Sequence, residues 1–236
     1  MDIVLLTTNT THHLYYAWKL SERFDLQAIF LETQSPTPNF ETEHPFEKQR
    51  ESYEQDVLLA NFSGSFATLA DTREFVSVNE LESVTALRAL APDVILVFGV
   101  GKLAKPVFQM ASLACLNLHG GNPERYRGLD SHLWAIYHQD FDELVTSLHH
   151  IDAQLDTGDM VFQTHLKLKR DSRLHELRAL NTQACVNLSL LALTSLNDIG
   201  WLPARTQSNR GRYYSFMPAA LKDVCIKKFD LYVSKL

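Results

Sequence analysis

Three polar side chains near the middle of the chain have types and spacing suited to chemistry. Asn117 and His119 lie two positions apart at the end of a predicted buried strand, and residues two apart on a strand point to the same face. Asp156 follows after a second predicted strand, in Asp156-Thr157-Gly158. An amide can donate to a developing negative charge, while an imidazole and a carboxylate can orient or move a proton. The three residues are therefore candidates for one catalytic group.

Each of these residues alone also has an ordinary structural interpretation. Asn117 and His119 can be a turn asparagine and a histidine bonded to nearby backbone, and an aspartate before Thr-Gly is typical of a side-chain-to-backbone turn. The catalytic interpretation is favoured by the order of several short motifs. These are Asn-x-His, the turn that holds Pro123, then Tyr126-Arg127-Gly128, and finally Asp-Thr-Gly.

In this order, the motifs within residues 115–163 resemble those of the folate-dependent formyltransferase family. The resemblance implies 10-formyltetrahydrofolate as formyl donor and catalytic roles for Asn117, His119 and Asp156. It also implies that the folate lies between the loop after the strand 94–98 and the Asp-Thr-Gly loop. The residues expected to bind it are Phe98, Gly99, Val100, Lys102, Leu103, His149, Ile151, Asp152 and Leu155. His149 matches a histidine of many family members, and a structural role for it stays open.

Short apolar runs predict the strands that would position these residues. Continuous apolar runs are typical of strands buried in a parallel sheet. The predicted strands are 3–6, 26–31, 74–78, 94–98, 116–118, 145–152, 160–168 and 211–216. The predicted helices are 12–23, 47–61, 79–90 with an Asn79/Glu82 capping box, one from 104, 130–139, and a long one from 171 or 172.

This alternation predicts an α/β fold with an open, doubly wound, mostly parallel sheet, which is the Rossmann-like formyltransferase fold that the resemblance implies. We interpret residues 1–170 as a catalytic domain and residues 171–236 as a short C-terminal extension packed on it. In such sheets, ligands bind beyond the carboxyl ends of the strands. The loop 99–102 and the turn 117–121 both lie at such ends, so we expect them to face one crevice.

Composition and motifs exclude several classes of protein. The net charge of −6 argues against nonspecific binding to nucleic acid, which needs a basic surface. The loop after the first strand has neither GxGxxG nor GxxxxGK[ST], so no NAD or ATP site is expected. Paired histidines on strands or helices point to different sides and HExxH is absent, so we expect no metal. Three widely spaced cysteines, no apolar run of about 20 residues and no signal peptide predict a cytoplasmic protein without a membrane contact.

The acceptor amine depends on which branch of the family the chain resembles most. Net negative charge and the short segment after Leu168 disfavour methionyl-tRNA, and Thr7–Thr11 lies where the glycinamide ribonucleotide branch has a glycine-rich loop. The stretches YRGLDSHLWAI and GRYYSFMP are most similar to sugar N-formyltransferases, which are often dimeric. We therefore predict that the formyl acceptor is a nucleotide-linked deoxy-amino sugar, used for surface polysaccharide (O-antigen). Whether the chain forms a homodimer stays open. Three alternatives stay open: transfer to another small amine, transfer to methionyl-tRNA, and folate binding without transfer.

A nucleotide diphosphate requires cations or helix N-termini, and its base often stacks on an aromatic ring. We favour the start of the first helix, because its positive end is expected to face the crevice. The candidate residues for the sugar nucleotide are His12, Tyr16, Arg125, Tyr126 and Arg127.

Overall fold

Seven of the nine strands form one sheet, and the other two form a small separate one. The computed structural model describes residues 1–236. The strands are β1 Ile3–Thr7, β2 Leu26–Glu32, β3 Asp71–Phe75, β4 Val94–Phe98, β5 Ala114–His119, β6 Tyr126–Gly128, β7 Val145–His150, β8 Met160–His165 and β9 Arg212–Tyr214. The helices are α1 Thr11–Ser21, α2 Pro45–Leu58, α3 Leu81–Leu90, α4 Lys105–Phe108, α5 Ser131–His138, α6 Leu177–Ile199 and α7 Ala219–Val233.

The order of strands across the large sheet is β3-β2-β1-β4-β5-β7-β8. The five strands from β3 to β5 in this order are parallel, while β7 and β8 are added antiparallel. A parallel pair needs a crossover connection, and helices supply most of these connections here. The predicted α/β fold with an open, mostly parallel sheet is confirmed.

Helices cover both faces of the sheet, which is why its central strands are apolar runs instead of alternating patterns. On one face, Leu96 belongs to a core cluster with Tyr16 of α1 and Cys185 of α6. On the opposite face, Val97 belongs to a cluster with Leu87 of α3. Neighbouring residues of β4 thus point into two different cores. The sheet is therefore packed on both faces beneath the loops that follow its strands.

The C-terminal helix α7 shares a third core cluster with α5, which includes Phe229 and Ile136. It also reaches α2, because the buried ammonium of Lys222 donates to Glu47 Oε1 at 2.7 Å. The division at residue 170 stays a prediction, although α6 beyond that point packs on the sheet beside α1. None of the helices is both long and apolar enough to cross a membrane.

Several details of the predicted elements were wrong. The predicted helix 47–61 covers Pro45–Leu58, and the predicted strand 160–168 ends at His165. The third strand covers Asp71–Phe75 instead of 74–78, because it is an edge strand with only Phe75 buried, and such a strand has a weak apolar signal. Asn79 does not cap α3; its side chain bonds the backbone at Lys102 and Ala104. The long helix begins at Leu177, after a single 3-10 turn, and not at residue 171 or 172.

Candidate active site

The antiparallel pairing of β5 with β7 places Asn117 directly opposite His149. Asn117 Nδ2 lies 3.1 Å from His149 Nε2 and 3.4 Å from Asp156 Oδ1. His149 Nδ1 lies 2.8 Å from the carbonyl of His150, and since a carbonyl only accepts, Nδ1 carries a proton. In the neutral ring, Nε2 is then the acceptor for the Asn117 amide. His149, on the adjacent strand β7, thereby orients the Asn117 amide.

His119 has its ring orientation set by a backbone carbonyl. Its Nε2 lies 2.7 Å from the carbonyl oxygen of Tyr126, so Nε2 must be the donor. This leaves Nδ1, which lies 3.9 Å from Asp156 Oδ2, as the nitrogen that gains or loses a proton. Asn117 and His119 both line one cleft together with Asp156. The predicted clustering of the three side chains is what the structure shows.

Asp156 is held in place through both its backbone and its carboxylate. The residue has a φ of 55°, and Gln207 Nε2 donates to its carbonyl at 3.1 Å. The N–H of Gly128 donates to Oδ2 at 2.9 Å. Burial by itself would raise the pKa of Asp156, but His119, His149 and the Gly128 N–H together lower it below the ordinary value. Asp156 is therefore a carboxylate, ready to stabilise a positive imidazole.

Two glycines allow this arrangement. Gly128 has a φ of 91°, and a Cβ there would collide with the carbonyl of Tyr214 on the adjacent strand β9. At Gly158, a Cβ would collide with the carbonyl of His150. Both short motifs, Tyr-Arg-Gly and Asp-Thr-Gly, thus end on a residue that must lack a side chain for two backbones to pass closely.

The cleft that Asn117, His119 and Asp156 line has a cavity volume of about 160 Å³ and lies at the carboxyl ends of β4 and β5. Its walls are the loop after β4 and the loop before Asp156. All residues expected to bind folate, except Phe98, line it: Gly99, Val100, Lys102, Leu103, His149, Ile151, Asp152 and Leu155. Phe98 instead lines a second cleft on the other side of His119. We call the first space the donor cleft.

Two residues outside the predicted set shape the donor cleft. The buried carboxylate of Glu32, at the end of β2, accepts from Gly101 N–H at 2.7 Å and from Val78 N–H at 3.0 Å. Asn79 Oδ1 accepts from Ala104 N–H at 2.6 Å. Together they hold the loop after β4. The signal that was available for Glu32 is a charged residue that ends an otherwise apolar strand.

The second cleft has a cavity volume of about 240 Å³ and meets the donor cleft at Gly99, Leu118, His119, Gly128 and Leu129. Its remaining walls come from α2, the start of α5 and the start of α6. Those walls are Phe46, Arg50, Asp130, Ser131, His132, Leu133, Leu174, Leu177, Arg178 and Asn181, together with Phe98 and Gly120. None of these α2, α5 and α6 residues was predicted from the sequence. We call this space the second cleft.

His132 contributes a neutral imidazole to the second cleft. Burial, partly offset by the carbonyl of Val145, lowers its pKa to about 4. Its Nε2 donates to that carbonyl at 2.7 Å. Nδ1 therefore has a free lone pair, and the ring carries no charge near pH 7.

The predicted contacts of α1 with a sugar nucleotide do not fit the structure. Tyr16 is fully buried and its hydroxyl lies 2.7 Å from Ser189 Oγ, so it belongs to the core. His12 is buried behind the second cleft, with its Nδ1 3.8 Å from Glu54 Oε2. Neither side chain lines a cleft, because α1 turns its apolar side toward the sheet.

The segment from Arg125 to Arg127 also lies outside both clefts. The Tyr126 hydroxyl donates to Asp140 Oδ2 at 3.0 Å, and exposed Arg125 lies 3.5 Å from the same oxygen. Arg127 donates to the carbonyls of Gly211 at 2.7 Å and Leu155 at 3.0 Å. These side chains are used by the protein itself, and Arg127 ties β9 to the loop before Asp156. No group of three or more side chains is placed to hold a metal ion.

Residues 21–186 match the formyl transferase family. The methionyl-tRNA formyltransferase of Halothermothrix orenii is 34% identical over 143 residues, which are 59% of this chain and 44% of that protein. The chain spans less than half the length of the first curated relatives it matches.

Solved structures with the same fold include a 4-N formyltransferase from Francisella tularensis, with a TM-score of 0.60 and 13% identity over 91% of this chain and 76% of that one. PseJ from Anoxybacillus kamchatkensis, in complex with UDP-4,6-dideoxy-4-formamido-L-AltNAc and tetrahydrofolate, gives 0.50 and 17% over 98% and 90%. At such identities these structures show the fold alone. Because the family match extends over more than half of the sequence, and the fold agrees with it, the chain belongs to the formyl transferase family.

Proposed function

We propose that this protein transfers the formyl group of 10-formyltetrahydrofolate to the amine of a nucleotide-linked deoxy-amino sugar, for surface polysaccharide (O-antigen). The observation that carries the proposal is the convergence of Asn117, His119 and Asp156 where two clefts meet. One cleft has the loops that the family resemblance assigns to folate. The other leaves room for an acceptor on the opposite side of His119.

The residues present fit a formyl donor in the donor cleft. The folate supplies an activated formyl group, and the loop after β4 and the residues Ile151–Leu155 would hold its ring. Gly99 leaves room for the His13 ring and Gly101 for the Glu32 carboxylate, and Glu32 keeps the loop in position. No metal is needed for this chemistry.

Asn117 is placed to stabilise the negative charge that develops on the formyl oxygen. The amide nitrogen has two protons, of which one reaches His149 Nε2 at 3.1 Å and the other reaches Asp156 Oδ1 at the longer distance of 3.4 Å. The longer contact, with Asp156, is the one that the amide can exchange for a bond to the formyl oxygen. A fixed donor aimed at a developing oxyanion is typically the largest single contribution to such a reaction.

His119 is placed to take the proton that the attacking amine loses. Its Nε2 proton is engaged by the carbonyl of Tyr126, so Nδ1 is the basic nitrogen. Asp156, held as a carboxylate, stabilises the imidazolium that forms. The same proton is then available for the folate nitrogen that leaves. The amine itself is the nucleophile, so no covalent intermediate with the protein is required.

The test is formyl transfer with the purified protein, 10-formyltetrahydrofolate and a panel of nucleotide-linked amino sugars. We expect release of tetrahydrofolate together with a sugar product heavier by one formyl group. The Asn117→Ala protein should release both about a hundredfold to a thousandfold more slowly. If no amino sugar is formylated while another amine is, the sugar assignment is wrong.

Methionyl-tRNA is the second candidate acceptor, because curated relatives at 30 to 39% identity are methionyl-tRNA formyltransferases. Against it stands the net charge of −6, which makes a broad electrostatic contact with tRNA unfavourable. Formylation of methionyl-tRNA, tested in the same assay, separates the two. Binding of folate with no transfer to any amine would favour a folate-binding protein instead.

A further inference from the structure

Arg50 is a cation of the second cleft without an anionic partner. It lies on α2, one turn after Phe46, whose ring centroid is 5.5 Å from the Arg50 Cζ. Its Nε is buried and makes no hydrogen bond. Burial first, and then repulsion from Arg178, lowers the pKa of Arg50, although an arginine stays charged at any ordinary pH.

The carboxylates around Arg50 are already engaged by other groups. Glu54 accepts from Arg178 through two bonds, of 2.6 Å from Nε and 2.7 Å from Nη2. Glu47 accepts from the Lys222 ammonium at 2.7 Å. Asp130 accepts from the N–H of Met217 at 2.8 Å. Two of these carboxylates thus pair with the cations Arg178 and Lys222, and none of the three forms an ion pair with Arg50.

A second polar atom in the same cleft also has no partner. The hydroxyl of Ser131, which starts α5, is buried and makes no hydrogen bond. A partly buried cation and a buried hydroxyl both cost free energy when they are left without a partner. Both residues line the second cleft, and a guanidinium and a hydroxyl each donate to anionic oxygens, so a ligand with such oxygens suits the donors of this cleft.

Building on the function proposed above, we infer that Arg50 binds an anionic group of the acceptor in the second cleft. For a nucleotide-linked sugar this group is the diphosphate. The cleft extends from Arg50 to His119, so an acceptor held at its anionic end reaches the catalytic histidine with its other end. Because donor and acceptor then enter from opposite sides of His119, both can be bound at once.

The test compares the wild type with Arg50→Met, which keeps the bulk of the side chain, and Arg50→Lys, which keeps its charge. Arg88→Gln is the matched control, because Arg88 is an exposed arginine on α3, on the other face of the sheet. Calorimetric titrations with inorganic pyrophosphate, succinate and tetrahydrofolate measure binding without any turnover. Kinetics with the amino-sugar nucleotide then give KM and kcat separately.

We expect Arg50→Met to weaken pyrophosphate binding about tenfold or more and to raise KM for the sugar nucleotide by a similar factor. Arg50→Lys should keep part of the affinity, since it retains charge but loses the forked geometry. Arg88→Gln should match the wild type, and tetrahydrofolate should bind all four proteins equally, which also reports that the variants are folded.

Equal pyrophosphate affinities in the wild type and Arg50→Met would overturn the inference, as would a wild type that binds neither anion. Tighter binding of succinate than of pyrophosphate, again lost in Arg50→Met, would keep the anion site and assign it to a carboxylate-bearing acceptor. Anion binding that depends on Arg50, with no formylation of any amino-sugar nucleotide, would reject the proposed function and leave this inference standing.

Discussion

Asn117 and His149 face each other across an antiparallel pair of strands, with 3.1 Å between Nδ2 and Nε2. His149 Nδ1 donates to the carbonyl of His150, so in the neutral form of the ring Nε2 accepts from the Asn117 amide. The amide of the candidate catalytic residue Asn117 is thereby oriented by a histidine whose own ring is held by a backbone carbonyl. The position of the Asn117 side chain is therefore set by the pairing of two strands of the sheet, and not by a loop.

Replacing Asn117 with Ala should reduce kcat about a hundredfold to a thousandfold, since that is the typical cost of removing an oxyanion donor. Binding of tetrahydrofolate should change much less. Steady-state kinetics and a folate titration measure the two effects. Asn197→Ala, at an exposed asparagine of α6, is the matched control and should behave as the wild type. A kcat within threefold of wild type for Asn117→Ala would remove the residue from the mechanism.

His119→Ala and Asp156→Ala should each reduce kcat at least as strongly, and the double variant should be little worse than either single one. The reason is that Asp156 acts by stabilising charge on His119, so it has no function once the imidazole is gone. A double-mutant cycle measures the coupling. Additive losses would show that the two residues act independently.

His149→Ala should lower kcat about tenfold to a hundredfold by releasing the Asn117 amide, because a small misplacement of a catalytic group is costly. In the Asn117→Ala background the same change should have almost no effect on kcat. A direct contact of His149 with folate would instead raise the dissociation constant for tetrahydrofolate in both backgrounds. Comparing the two constants separates orientation from binding.

Glu32→Ala should weaken tetrahydrofolate binding about tenfold and also destabilise the protein, because it leaves the N–H groups of Gly101 and Val78 without their acceptor. Glu74→Ala is the matched control, since Glu74 is an exposed carboxylate on the neighbouring edge strand. Folate titration and urea unfolding measure the two effects. Unchanged folate affinity would mean that the loop after β4 does not need this anchor.

Stability should fall as the pH is lowered from about 6.5 to about 4. Burial lowers the pKa of His132 to about 4 and that of His13 to about 3, whereas an unfolded histidine has a pKa of about 6.5. Between those values the unfolded chain binds more protons, so the free energy of unfolding decreases as pH falls. Each histidine should account for about 2 kcal/mol between pH 7 and pH 5, because the slope approaches about 1.4 kcal/mol per pH unit only below the unfolded pKa.

Urea unfolding at pH 7 and pH 5 checks this, with His132→Gln expected to show a smaller decrease than the wild type. His165→Gln, at an exposed histidine that ends β8, is the control and should keep the full decrease. The same decrease in all three proteins would mean that His132 is not a buried neutral group.

The sequence by itself determined the fold class and singled out the three candidate catalytic residues. Four or five continuous apolar runs separated by helical patterns are enough to predict a parallel sheet buried on both faces, and the observed sheet has this form. The two-residue spacing of Asn117 and His119 is enough to place them on one face, because strand side chains alternate. Asp156 was added to these two residues by the resemblance of short motifs. Two of those motifs end on glycines, Gly128 and Gly158, where the backbone passes close to β9 and β7.

Only the tertiary structure decided where the rest of the site lies. Tyr16 and His12 lie in the helix that follows the first strand, as predicted. The rotation of α1 about its axis turns both side chains inward, because α1 packs on the sheet. The pairing of Glu54 with Arg178 joins residues 124 positions apart, and it is this pairing that leaves Arg50 without a partner. Local patterns report on neighbours along the chain. Which buried charges are neutralised depends on contacts between distant elements, and these form only when the chain has folded.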